Sequence, residues 1–360
     1  MLNSRAIYER FGVRPVVNAA GIYTDLGGSV LSPGVREAVD AVNGTFASMT
    51  ELLDRSGEHL ARLLGVEAAR VVPGASAGIA LSVGACMTHA EGPLMEQLPE
   101  TTGMRSAVLV QPGHRYKYDR CARMTGARIL EGDLTSFDDV ACVLHPAHLD
   151  GRDGTLPLEE VAERAHAHGV PVVVDAAYMS FPTDLIASYG ERGADLTTFS
   201  AKYFYGPNAG GFVYGRRDLI DAVAQIDFTR FESGPHLIFG RAFKMDRSAV
   251  VATVLALEEW LARDHDARWA SYRERAERLA TQLENASTAQ FTLDERLIRE
   301  PVNSLVVEAG ERADDLADEL AAGDPSIVCV PMEGKLVFCL ETVDEADEPL
   351  LLERIRSVVG

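Results

Sequence analysis

The chain has 360 residues, room for one large domain and a smaller one, and its 47% hydrophobic content is that of a globular protein with a packed core. A formal net charge of −20 argues against a basic face for nucleic-acid phosphates and fits a solubilising acidic surface. Five widely spaced cysteines (Cys86, Cys121, Cys142, Cys329, Cys339) form neither a disulfide framework nor a zinc pattern. No apolar run is long enough for a membrane span, and residues 1–11 lack a signal-peptide core, so the expectation is a reduced, metal-free, cytoplasmic protein.

Residues 1–14 read as a short helical arm. Residues 15–33 are irregular, and Gly21, Gly27 and Gly28 permit unusual backbone angles or close approach to another group, as a surface turn or a functional loop. Apolar residues at helical spacing (Val35, Val39, Val42, Phe46) predict a helix from Pro33. A second helix covers 50–64, stopped by Gly65. A strand at 66–72 then runs into Pro73-Gly74-Ala75-Ser76-Ala77-Gly78, which opens an apolar helix at 79–87. Small residues at such a turn leave backbone N–H groups pointing at an anion, and Ser76 adds a hydroxyl; tight helix packing selects the same residues.

Strands are predicted at 107–110, 128–130 and 142–144. The first leads into Gln111-Pro112-Gly113-His114-Arg115-Tyr116 and a helix to about residue 125. A helix at 158–168 precedes Val172-Val173-Val174-Asp175-Ala176-Ala177, a buried β-branched run ending in a carboxylate, at the edge where open α/β sheets bind ligands. A shorter apolar run at 196–199 ends in Ser200-Ala201-Lys202. Gly206-Pro207, Gly210-Gly211 and a strand-like Phe212-Val213-Tyr214 follow. This alternation predicts a mostly parallel sheet. Residues 218–226 read as helix and 227–239 as irregular. A long helix starts near 246 or 248, breaks around Asp264 and ends at 283. Strand 304–308, helix 313–321, strands 327–330 and 336–340, and helix 345–359 complete a small α+β piece. The domains read as an arm (1–32), a large domain (33–244) and a small C-terminal domain (245–360).

A lysine after a strand is usually a surface residue. Here Asp175 ends a buried strand, where a carboxylate needs a cationic partner, and Ser200 offers a hydroxyl beside Lys202. The 74–78 turn offers an anion site, and His114 ends an intervening strand, as a ring to stack on a cofactor or as a plain loop histidine. An acid and a lysine at the ends of neighbouring strands suit pyridoxal phosphate. The lysine forms a Schiff base, and the aspartate keeps the pyridinium nitrogen protonated so that the ring acts as an electron sink. Arg241 and Lys244, spaced i, i+3 at the start of the long helix, read as a solvated charge pair or as a clamp for the phosphate of cofactor or substrate.

The chain also carries Val17-Asn18-Ala19-Ala20-Gly21, Leu98-Pro99, Gly126-Ala127, Gly193-Ala194-Asp195 and Gly240-Arg241 in order with the motifs above. With them it resembles the fold-type I pyridoxal-phosphate enzymes, in the branch similar to bacterial selenocysteine synthase and the glucosaminate-6-phosphate ammonia-lyases. The resemblance implies an aminotransferase-like α/β fold, with a mostly parallel seven-stranded sheet in the large domain. It implies that Lys202 holds the cofactor and then serves as acid and base at Cα, that Asp175 pairs with the ring nitrogen, and that Ala177 packs under the ring. Gly74, Ala75, Ser76 and Ser200 would hold the phosphate, with Arg241 and Lys244 adding to the cofactor set and His114 stacking on the ring. Tyr23, Thr24 and Arg115 are candidate substrate contacts, and Tyr23, His114 or Tyr203 would protonate the leaving group.

Two departures stand out. Ser200-Ala201-Lys202 is one residue shorter than the branch's Ser-Gly-Gly-Lys, and the stretch from Gly334 to Leu340 holds Lys335 but no arginine for a substrate carboxylate. The implied activity is α,β-elimination from an amino acid or amino-sugar acid, releasing ammonia; the alternatives are a racemase or epimerase, or an aminotransferase. The implied partner is a small amino substrate, without nucleic acid or membrane. The implied assembly is a homodimer or larger homo-oligomer with sites at the interface.

Overall fold

In a computed structural model, which describes residues 4–289 and 303–359, the Val172-Val173-Val174 run lies in the middle of a seven-stranded sheet. In spatial order its strands are Ala68–Val72, Gly211–Gly215, Leu196–Ser200, Val172–Asp175, Val140–Pro146, Ala107–Val110 and Arg128–Glu131. Only Gly211–Gly215 runs antiparallel to its neighbours, so the expected mostly parallel sheet is borne out. Every residue of Val172–Asp175 and of Leu196–Ser200 is buried, as in a sheet covered on both faces.

The helix Ala75–Thr88 is buried along nearly its whole length. Gly78 lets it press onto the sheet, since a Cβ there would lie 2.0 Å from the Thr198 hydroxyl oxygen. The helix Arg247–Ala262 buries Val250, Leu257 and Trp260, and the Trp260 indole donates to the Ser180 carbonyl at 2.8 Å. It packs on the helices Pro33–Asn43 and Met49–Leu64. For that reason it belongs to the large unit, which spans Ser29–Ala262, and the boundary falls after Ala262 rather than near Lys244. The break expected around Asp264 is present: its carboxylate accepts from the Ala267 amide at 2.9 Å and caps the next helix, His265–Ala280.

The second unit combines residues 1–28 with 263–360. The helix Ser4–Arg10 lies in the stretch read as an arm, whose residues 1–3 fall outside the described residues. The arm is not a separate piece, because Val16–Asn18 pairs in parallel with Ser326–Val328 and the Cys339 amide donates to the Ala19 carbonyl at 2.7 Å. Four antiparallel strands follow in the order Val330–Met332, Lys335–Cys339, Ser304–Glu308, Ala286–Ala289. The stretch expected as one strand at 327–330 is thus split between two sheets.

Within the large unit, the stretch read as irregular contains the helix Phe228–Ser233. Asp227 caps it, and the same carboxylate holds Arg70 at 2.9 Å. Residues expected as α-helix up to about 125 form a 3-10 helix, Asp119–Thr125. Among the described residues, no helix is long and apolar enough to cross a membrane, and no His, Cys, Asp and Glu cluster suits a metal ion.

At the end of the lysine strand the backbone closes in on Gly211. A Cβ there would lie 2.4 Å from the Phe199 carbonyl oxygen and 2.9 Å from the Gly74 Cα, neither of which yields easily. A Gly211→Ala variant is expected to lose about 1–3 kcal/mol in urea-induced unfolding; wild-type stability would contradict this packing.

Candidate active site

The strand register gathers the site. Gly211 is paired with Val72 on one side and Ser200 on the other, so the Gly74 turn and the lysine turn leave the sheet side by side. Asp175 is paired with Thr198 and with Pro146, which places the carboxylate at the same sheet edge. This is the carboxyl edge of the parallel strands.

Gly74 has φ +90°, a conformation that favours glycine, and starts the helix Ala75–Thr88 without a side-chain cap. The first helical hydrogen bond runs from the Gly78 amide to the Gly74 carbonyl at 3.0 Å. The amides of Ala75, Ser76 and Ala77 precede it, and Ser76 is exposed. Uncapped N–H groups at a helix start attract anions.

Lys202 is 8% exposed, in the 3-10 turn Ala201–Phe204 directly after Ser200. The turn is pinned at both ends: the Ala201 amide donates to the Gly210 carbonyl at 2.9 Å, and the Gly206 amide to the Ala201 carbonyl at 2.8 Å. The lysine Nζ lies 4.9 Å from the centre of the Tyr203 ring, within cation–π range.

Asp175 is 4% exposed, and burial pushes its pKa up. Two donors oppose that shift. The Tyr116 hydroxyl donates to Oδ2 at 2.5 Å, and the Ala177 amide donates to Oδ1 at 3.1 Å. Burial and the nearby Asp175 push the Tyr116 phenol well above its usual range, so it stays a donor. Ala177 is half-buried beside the carboxylate, and its carbonyl accepts from the Ser200 amide at 3.0 Å.

His114 is enclosed between two loops. It is 0% exposed, with Nε2 donating to the Leu149 carbonyl at 2.9 Å and Nδ1 facing the Gln111 side-chain amide at 3.2 Å. The Gln111 side chain in turn binds Leu156 at 3.0 and 2.8 Å. Burial, then the charge of His145, lower the His114 pKa to about 4. With both nitrogens engaged and no exposed face, His114 braces two loops. Its ring meets the His145 ring edge-on at 4.9 Å, and its lowered pKa leaves it mostly neutral near neutral pH.

A row of half-buried rings stands at the edge instead. Tyr116 meets His148 at 5.3 Å, His148 meets Tyr178 at 5.4 Å, and Tyr178 meets Tyr203 at 5.8 Å. The row links the residue bonded to Asp175 with the ring beside Lys202. Sequence reasoning assigned no role to Tyr116, His148 or Tyr178. The one available signal was Tyr116 lying two residues beyond His114 in the same loop.

Other candidates lie elsewhere. Arg115 is exposed and ion-paired with Asp119 and Glu131 at 2.5 and 3.6 Å. Arg241 is paired with Glu232 at 2.6 Å on the 3-10 turn Arg241–Phe243, ahead of the long helix rather than on it, and Lys244 just after it is exposed. Tyr23 and Thr24 belong to the second unit, where the 3-10 turn Thr24–Leu26 begins.

A profile of the aminotransferase class-V family matches residues 126–321. The chain is 30% identical over 347 residues to a 5'-C-glycyluridine monooxygenase-decarboxylase of a Streptomyces species, covering 89% of this chain and 83% of the relative. It is 28% identical over 373 residues to the D-glucosaminate-6-phosphate ammonia lyase of Salmonella typhimurium, covering 98% and 97%. A solved structure of a D-glucosaminate-6-phosphate ammonia-lyase superposes with TM-score 0.85 at 26% identity, over 99% of both chains.

A histidine held neutral by burial adds acid sensitivity. The folded chain disfavours protonated His114, so this contribution to stability is complete above pH 6.5 and is lost as pH falls toward about 4. A His114→Gln variant is expected to show a shallower fall in unfolding free energy across that window. An unchanged slope would contradict the buried neutral ring.

Proposed function

The chain belongs to the aminotransferase class-V family of fold-type I pyridoxal-phosphate enzymes, and we propose that it is a lyase. It would remove ammonia and a β-substituent from an amino acid or amino-sugar acid. The observation that carries this reading is a buried lysine and a buried aspartate beside an uncapped glycine turn, all at one sheet edge of one unit. The residues fit pyridoxal phosphate on their own chemistry. Uncapped amides suit a phosphate dianion, a buried amine suits an aldehyde, and a buried carboxylate with donors of its own suits a protonated ring nitrogen.

When bound, the cofactor supplies the electron sink that makes a Cα proton acidic. The amides of Ala75 and Ser76, the Ser76 hydroxyl and Ser200 would hold the phosphate. Lys202 would hold the cofactor through its amine and would be the group placed to move the proton at Cα. Asp175 would keep the ring nitrogen protonated, with Ala177 beside it. Tyr178, His148 and Tyr203 wall the edge against water. Tyr203, next to Lys202, would protonate the departing group; His114 is committed to Leu149 and Gln111. The net charge of −20 supports a small-molecule substrate rather than a nucleic acid. We place the protein in the cytoplasm as a homodimer or larger homo-oligomer. That reading is supported by cysteines that are all unpaired and by the family resemblance.

The 30% identity to a monooxygenase-decarboxylase favours a second reading, in which the same lysine and aspartate act on a Cα carboxylate. One experiment separates the two. The cofactor-loaded chain is incubated in deuterated water with D- and L-amino acids and amino-sugar acids, phosphorylated and not. Ammonia and a keto product are expected, and Lys202→Ala is expected to lower their release by at least about 10²-fold. Carbon dioxide with oxygen uptake would establish the second reading. Deuterium at Cα of unreacted substrate would mark a racemase, conversion of the cofactor to its amine form an aminotransferase, and full turnover by Lys202→Ala would overturn the account.

A further inference from the structure

Asp175 is a buried acid whose two carboxylate oxygens each have a donor. We propose that Tyr116 is a positioning residue for the reaction, orienting Asp175 so that the carboxylate accepts from a protonated ring nitrogen. This inference rests on the pyridoxal-phosphate reading above and assigns a role to a residue that reading does not use.

The geometry is specific. The Tyr116 hydroxyl reaches Oδ2 at 2.5 Å while the Ala177 amide holds Oδ1 at 3.1 Å, so each carboxylate oxygen has one donor and its plane is fixed. Rings set edge-on at 5.3 Å (His148) and 6.1 Å (Tyr118) hold the phenol in place. A carboxylate this far from water loses its hydration, and burial favours its neutral form. A neutral carboxyl would no longer hold a cationic ring nitrogen. The two donors bond to the anion and oppose that loss, the tyrosine ahead of the amide. Cys121 and Asp119 both add to the upward push on Tyr116. The Cys121 thiol is itself pushed up by burial, and Asp119 is taken by Arg115. Lys202, at the end of the neighbouring strand, is the residue that the cofactor aldehyde would consume.

Tyr116→Phe removes one oxygen and keeps the ring that packs on His148, so it isolates the hydrogen bond. In the cofactor-free chain, the Asp175 side chain is followed by ¹³C NMR and identified by its disappearance in Asp175→Asn. Its titration midpoint is expected to rise by about one pH unit in Tyr116→Phe and to stay at the wild-type value in Tyr118→Phe. With ring-¹⁵N-labelled pyridoxal phosphate bound, the nitrogen signal of Tyr116→Phe is expected to move toward that of neutral pyridine. An Asp175 midpoint that matches wild type in Tyr116→Phe, or an unmoved nitrogen signal, overturns the proposal. A wild-type chain that takes up no pyridoxal phosphate overturns the lyase reading and the ring-nitrogen half of this one. The cofactor-free titration then decides the Tyr116–Asp175 coupling by itself.

Discussion

Gly211 is the narrow place through which the site is assembled. It opens the one antiparallel strand in an otherwise parallel sheet, so its first residue meets the last residues of both neighbours, Val72 and Ser200. The two segments that leave the sheet there are the glycine turn before the Ala75–Thr88 helix and the turn that carries Lys202. Without a side chain at 211, the Gly74 backbone and the Phe199 carbonyl both come close. Because both neighbours run antiparallel to Gly211–Gly215, they run parallel to each other, and the turns that follow them leave the sheet at the same edge.

Electrostatics then separate this edge from an ordinary one. Lys202 and Asp175 are both out of water, where an isolated charge is costly, so each needs local compensation. Asp175 receives it from a phenol and an amide. Lys202 lies over the face of Tyr203, and the rings of Tyr178 and His148 extend that face toward Tyr116. Preorganised groups of this kind are already oriented before a ligand arrives, which is how a protein turns burial into chemistry. The cation pairs of Arg115 and Arg241 contrast with this: both guanidinium groups are partly exposed and already paired with acids of their own.

How much of this was legible depended on the range of the interaction. The Val172–Asp175 strand, Lys202 after a short apolar run and the Gly74 turn were readable, because periodicity and small-residue turns act over a few residues. The pairing of Val16–Asn18 with Ser326–Val328 was not, since nothing local in either segment names its partner, and so the arm looked separate. The helix Arg247–Ala262 was assigned to the wrong unit for a similar reason. Its apolar residues show that it is buried but not against what. From sequence His114, which ends a strand, reads as a stacking ring or as a plain loop histidine. Which of two rings in a loop turns toward Asp175 is set by Gln111 and Leu149, contacts that no spacing rule reports.

The central claim is that Lys202 holds pyridoxal phosphate. The most direct measurement is to load the chain with the cofactor, fix it with borohydride, digest it and locate the modified peptide by mass spectrometry. The account predicts a single pyridoxyl-lysine at Lys202. Modification at another lysine, or none in a protein that still retains the cofactor, would contradict it.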